Sequence, residues 1–189
     1  AGAEPADRVI TNATIVNVFT GELLRDWSVG IKGHWIAYTG SAAAHMIGPD
    51  THVIDAGGKP LIPGFIDGHT HILWMTTPEQ FLKNALSGGT TAIVTEIFEP
   101  YPVAGIAGVN DLLDALADQP IKIYGTAPAM VSTSHRSRGI KQADLSALLA
   151  RPEILGLGES YWQGILQDPE DYLPALNLTR QHRKTLEGH

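Results

Sequence analysis

The stretch Leu61-Ile62-Pro63-Gly64-Phe65-Ile66-Asp67-Gly68-His69-Thr70-His71-Ile72 decides how this chain is read. Its apolar run, LIPGFI, reads as a strand, and it leads into two imidazoles one residue apart. Alternate residues of a strand project to one side, so His69 and His71 point together, with Asp67 on the same side. Two adjacent imidazoles repel each other if both are charged. Held neutral, they chelate one divalent cation, which supplies the missing positive charge. Asp67 then reads as a hydrogen-bond partner behind them. A His-x-His pair also arises in ordinary polar loops, so its surroundings have to decide.

On the N-terminal side, residues 8–60 read as short strands. RVITNATIVNV alternates β-branched residues and closes in the turn FTGE. WSVGIKGHWIAYTG reads as two strands joined at Lys32-Gly33, and THVIDAGGK as a further strand, Val53 to Asp55, before a glycine turn. On the C-terminal side, strand and helix patterns alternate. TTPEQFLKNALSGG is a helix with Thr77 as N-cap, Pro78 in the first turn, Gln80 closing a capping box and Gly88-Gly89 as the stop. TTAIVTE is the next strand, 110–117 a helix, IKIYGTAPA a strand, 142–150 a helix and EILGLGE a strand. The last helix takes Asp168 as its cap, with Pro174 near its start or at a kink, and TLEGH begins a fifth strand. Ser132 to Gly139, STSHRSRG, is a polar loop after the third strand.

Repeated βα units imply a parallel sheet, whose C-terminal strand ends hold the active site in such folds. A (β/α)8 barrel takes about 250 residues and seldom fewer than about 200. Residues 61–189 offer four βα units and the start of a fifth strand. The expected fold is therefore α/β: a β-sandwich portion over 1–60, and over 61–189 the first half of a (β/α)8 barrel. TLEGH stops where a strand should enter the sheet, so the reading expects an incomplete barrel, inactive by itself. Its open edges favour a homo-oligomer or association with the missing C-terminal half.

Gross composition is that of an ordinary globular chain, 43 % hydrophobic and 17 % charged. A net charge of -7 argues against nucleic acid or an anionic membrane as the main partner. No long uncharged apolar run suggests a membrane span, and AGAEPADR lacks the pattern of a secretory signal. With no cysteine there is no thiolate metal site, and the cytoplasm is the default location.

PGFIDGHTH resembles the first-strand signature of the amidohydrolase superfamily, metal-dependent hydrolases on a distorted (β/α)8 barrel. VITNATIVNVFTGE, IKGHWIAYTG and VIDAGGKPLIPG resemble the small β-sandwich that precedes that barrel. Within the superfamily, SGGTTAIV, LLDAL, PAMVSTS, RPEILGLGES and GILQDPE are similar, in that order, to segments of bacterial-type adenine deaminases. The resemblance implies one or two divalent metal ions (Zn, Mn or Fe) held by His69, His71, Glu159 and His189. Glu159, at the end of the fourth strand, would bridge and is the catalytic carboxylate. The implied reaction is hydrolytic deamination of adenine or a related small heterocycle by a metal-activated hydroxide, since a bound metal lowers the pKa of water from about 15.7 to about 7.

Two stretches depart from the adenine deaminase pattern. Glu96-Ile97-Phe98-Glu99 stands where those enzymes have Asp-Pro-His-Glu, and Leu73-Trp74-Met75 where they are small and polar. Glu96 and Glu99, at the end of the second strand, and Trp74 and Trp162, after the first and fourth, are read as substrate contacts, the tryptophans as walls for a planar ring. The departures keep open a cyclic-amide amidohydrolase of the dihydroorotase or hydantoinase kind. A truncated, non-catalytic assembly module is the third reading.

Overall fold

The computed structural model describes residues 4–129, 139–167 and 169–188, and the chain divides into two compact units, Ala1–Pro63 and Gly64–His189. In the first, the alternation read in the sequence forms β1 (Arg8–Val16), β2 (Leu23–Lys32), β3 (Trp35–Gly40), β4 (His52–Asp55) and the two-residue β5 (Pro60–Leu61). The order is β3-β2-β1-β4, and β5 also pairs with β1. β1, β2 and β3 are antiparallel, while β4 and β5 run parallel to β1. The β2–β3 turn uses Gly33 at φ 57°, and the Gly33 N–H donates to Asp7 Oδ2 at 2.7 Å. Val9, Ala6, Ala43 and Met46 form the core of this unit under Tyr38.

The second unit contains β6 (Phe65–Thr70), α1 (Ile72–Met75), α2 (Pro78–Ser87), β7 (Thr90–Glu96), α3 (Tyr101–Leu116), β8 (Lys122–Pro128), α4 (Gln142–Leu149), β9 (Ile154–Gly158), α5 (Trp162–Gln167), α6 (Pro169–Gln181) and β10 (Thr185–Leu186). Its sheet has the order β10-β9-β8-β7-β6, every neighbouring pair parallel. This is the βα alternation expected, curled as half of a barrel.

Two local expectations change. LIPGFI is not one strand: Leu61 pairs with Ile15 in the first sheet, and the parallel strand begins at Phe65. Pro63 has no N–H to donate to a ladder, and Gly64 lies so close to Thr91 that a Cβ would collide with its side chain. The helix expected over 110–117 begins earlier, at Tyr101, and is bent at Gly105 (φ 61°, ψ -154°). The glycines at 105 and 108 disguised that first half as loop. Pro174 lies inside α6. Thr77 is the N-cap of α2 as read, accepting from the Gln80 N–H at 3.4 Å. The cap read at Asp168 and the loop of Ser132 to Gly139, apart from Gly139 itself, lie outside the described residues.

The main core lies between the sheet and α3, α4 and α6, where Ile97, Val109, Leu113, Leu145, Leu148, Leu149, Ile154 and Leu157 pack together. A smaller cluster of Ile72, Leu82, Ile93 and Ile121 fills the β6–β7 end. Among the described residues, no helix is long and apolar enough to cross a membrane. Leu148 is fully buried, so Leu148→Ala should cost about 2–5 kcal/mol, read as a lower urea midpoint at unchanged slope. Leu166→Ala, at a side chain 72 % exposed, should stay within about 0.5 kcal/mol of the parent.

Candidate metal centre

His69 lies near the C-terminal end of β6, and His71 follows that strand as the N-cap of α1. Their rings are neighbours, with centroids 5.2 Å apart and planes at 77°. Asp67 holds the main chain rather than a ring, Oδ1 accepting from the His69 N–H at 3.3 Å. Glu159 comes up from the end of β9 and is 6 % exposed. It is a non-glycine residue at φ 47°, a conformation that costs on the order of 1 kcal/mol and that clusters at functional sites.

Glu159 Oε1 lies 3.1 Å from His71 Nε2 and 3.5 Å from His69 Nε2. Two donors each about 2.0–2.2 Å from a tetrahedral cation are about 3.3 Å apart. Both separations match that spacing, and the three side chains form one of two groups able to hold a cation among the described residues. The remaining ring nitrogens face other carboxylates: His71 Nδ1 is 3.2 Å from Glu99 Oε1, and His69 Nδ1 is 2.7 Å from Glu187 Oε1. The 2.7 Å contact is of hydrogen-bond length, too short for an ion between its atoms.

Glu187 follows β10, at the opposite edge of the sheet from β6. A 2.7 Å contact between residues of the two edge strands requires the sheet to curl strongly, so that its C-terminal ends face a common point. Glu187 is held there by main-chain bonds, its N–H to Leu157 O at 2.8 Å and its carbonyl from the Ser160 N–H at 3.2 Å.

Glu96, expected as a substrate contact, is 2 % exposed and lies beneath this cluster. Its Oε1 accepts from the Thr126 hydroxyl at 2.5 Å. Gly158 makes the arrangement possible, because a Cβ there would overlap both the Glu96 carboxyl and the Thr126 hydroxyl. Burial, then the neighbouring Glu187 carboxyl and the charge of Glu159, push Glu96 up from 4.5 to about 9, against the pull of the Thr126 hydroxyl. Glu96, Glu187 and His69 form the second group of potential ligands. The Tyr161 phenol is raised, by burial first and next by its hydrogen bond to Glu159.

The site also fits a cation by what it leaves unpaired. Glu96 Oε2, Glu99 Oε2 and Glu187 Oε2 are buried without a hydrogen-bond partner. Several carboxylates around two imidazoles, with lone pairs unsatisfied, constitute a donor set that lacks a positive charge. Imidazole and carboxylate donors without thiolate suit Zn, Mn or Fe(II).

Trp74 stacks on His71, centroids 4.2 Å apart and planes within 18°. Phe98 meets both rings edge-on, at 5.7 Å from His71 and 6.0 Å from Trp74. Glu99, read as a substrate contact, turns Oε1 to His71. Trp162 opens α5 and is 56 % exposed. His189 lies outside the described residues. Sequence reasoning missed Glu187, Thr126, Gly158 and Tyr161. The signal for Glu187 was available, since it precedes His189 by the same two-residue spacing that pairs His69 with His71.

The profile of the amidohydrolase family matches residues 61–172. This chain belongs to the amidohydrolase family. A Ruegeria pomeroyi protein named adenine deaminase is 36 % identical over 198 positions, covering all of this chain and 32 % of its own length. A Moorella thermoacetica protein of the same name is 38 % identical over 194 positions, again covering all of this chain and 32 % of its own. The chain thus spans about a third of the length of these relatives. Among solved amidohydrolase-like folds, an N-acyl-D-glutamate deacylase from Bordetella bronchiseptica, complexed with zinc, aligns with a TM-score of 0.66 at 22 % identity, over 98 % of this chain and 45 % of its own. A beta-aspartyl dipeptidase from Fervidobacterium islandicum aligns with a TM-score of 0.61 at 17 % identity, over 92 % of this chain and 48 % of its own. These likenesses bear on the fold alone, and the curled parallel sheet with its helices matches part of the amidohydrolase fold.

The raised Glu96 carboxyl gives a pH dependence with a definite sign. In the metal-free protein Glu96 keeps a proton that the unfolded chain releases above about 4.5. The stability tied to that proton is intact below about pH 4.5 and is lost as pH rises toward about 9. Thermal melts of metal-free protein should show the parent losing stability relative to Glu96→Gln across that window. Parallel profiles would contradict a raised Glu96.

Proposed function

We propose that this chain contributes the metal-holding strands of a hydrolase that deaminates adenine or a closely related heterocycle. The observation that supports this most is the approach of His69 Nε2 and His71 Nε2 to one oxygen of Glu159, at spacings suited to a shared cation. The relatives at 36 % and 38 % identity, both named adenine deaminase, supply the reaction class.

In this reading His69, His71 and Glu159 hold a divalent ion, with His189 proposed for a second. A bound divalent cation would supply Lewis acidity, lowering the pKa of water toward neutrality. The chain's own residues do the rest. Glu159, itself buried, provides negative charge beside the imidazoles. Glu99 and the Trp74–Phe98 pair hold the His71 ring. Trp74, 61 % exposed although stacked on His71, and Trp162 are proposed as the walls against which a planar ring lies.

A cyclic-amide substrate is the second reading, favoured by Phe98, which packs on His71 and Trp74 where the adenine deaminase pattern has a histidine. Two measurements test the proposal. Zinc or manganese titration of the chain should show binding that His69→Ala, His71→Ala and Glu159→Gln each weaken by more than about 100-fold, beyond the range for a group that only supports a ligand. The native gene product, metal-loaded, should release ammonia from adenine. Turnover of a cyclic amide with none of adenine would replace the substrate, and a parent chain that holds no metal would remove the reading altogether.

A further inference from the structure

We propose that Glu187 is a positioning residue that selects which nitrogen of His69 meets the cation. The inference rests on the metal-binding reading above and goes beyond it in assigning a role to a residue on the fifth strand. Each imidazole has two ring nitrogens, and only an unprotonated one ligates. On His69, Nδ1 is 2.7 Å from Glu187 Oε1 while Nε2 faces Glu159 at 3.5 Å. A carboxylate can only accept, so the short contact places the proton on Nδ1 and leaves the Nε2 lone pair toward Glu159. His71 also lies between two carboxylates, Glu99 at 3.2 Å from Nδ1 and Glu159 at 3.1 Å from Nε2, near-equal contacts that do not choose its tautomer. Each ring is held in orientation by a carboxylate behind it, and at His69 the short contact selects the tautomer as well.

The two supports differ in origin. Glu99 follows β7, the strand next to β6, whereas Glu187 reaches His69 from the far edge of the sheet. Glu187 therefore couples ligand orientation to the closure of the sheet. β10 has only two residues in register with β9, and main-chain bonds to Leu157 and Ser160 fix Glu187 beside it. The same carboxylate abuts Glu96, and the hydrogen bond between the two is among the causes that raise Glu96. Glu187 therefore has a neighbour besides His69, and the metal readouts separate its service to His69 from a merely structural one.

The test compares the parent chain with Glu187→Ala and Glu187→Gln. Zn(II) affinity is measured by competition with a chelator, the Co(II) visible spectrum reports ligand geometry, and metal-free melting reports the fold. Loss of a carboxylate behind a ligating histidine costs about 10- to 100-fold in affinity, expected here for Glu187→Ala together with an altered Co(II) spectrum. Glu187→Gln, which keeps an oxygen to accept from Nδ1, should restore most of both. Metal-free melting of each variant shows whether the fold is intact where its affinity is compared.

Equal affinities and spectra in all three would overturn the role of Glu187 while leaving the metal site standing, whereas a parent without metal would fail the underlying reading instead. A lowered metal-free melting point with unchanged affinity would make Glu187 a structural strut. Loss of a separate equivalent of zinc, the first site unaffected, would make Glu187 a ligand with Glu96 and His69, and would equally overturn the positioning role.

Discussion

The second unit depends on how far a five-stranded parallel sheet curls. His69 belongs to one edge strand and Glu187 follows the other, yet their side chains are 2.7 Å apart. No flat sheet of that width allows the contact, since neighbouring strands are about 4.8 Å apart and five of them span nearly 20 Å. Curling directs the C-terminal ends of β6, β7, β9 and β10 to one point. The same curl leaves the other face of the sheet to α3, α4 and α6, whose leucines and valines make the main core. The packing that stabilises the fold and the convergence that creates the site are two consequences of one curvature.

That convergence concentrates acids. Glu96, Glu99, Glu159 and Glu187 surround two imidazoles, and three of their oxygens are buried without a partner. Small residues make the crowding possible. Gly158 leaves room for the Glu96 carboxyl, and Thr126 donates to it. Glu159 accepts an unfavourable backbone conformation in order to leave the end of β9. Expense of this kind without a compensating charge would be selected against, and a proton on Glu96 supplies only part of it. In the proposed reading, a divalent cation held by His69, His71 and Glu159 would supply the remainder.

The sequence made the βα alternation and the neighbouring pair His69–His71 legible, because period-two and period-3.6 patterns are local. It misplaced the start of the first parallel strand, since an apolar run does not reveal which of two sheets each half joins. Glu159 was reached through a family pattern; nothing in GLGES itself states that its carboxylate meets residues 90 positions earlier. Glu187 and Thr126 escaped for the same reason, their role being set by sheet curvature rather than by spacing along the chain. Glu96 was seen as a strand-end carboxylate, but its burial follows from Gly158, two strands away. Trp74 was read as a wall for substrate, and the structure adds that one of its faces is already stacked on His71.

X-ray absorption on the zinc-loaded chain tests the central claim most directly, because it reads the atoms around the metal independently of turnover. The account predicts a first shell of nitrogen and oxygen with the outer scattering of two imidazoles, reduced to one in either His69→Ala or His71→Ala. A shell of oxygen alone, or imidazole scattering indifferent to both substitutions, would contradict it.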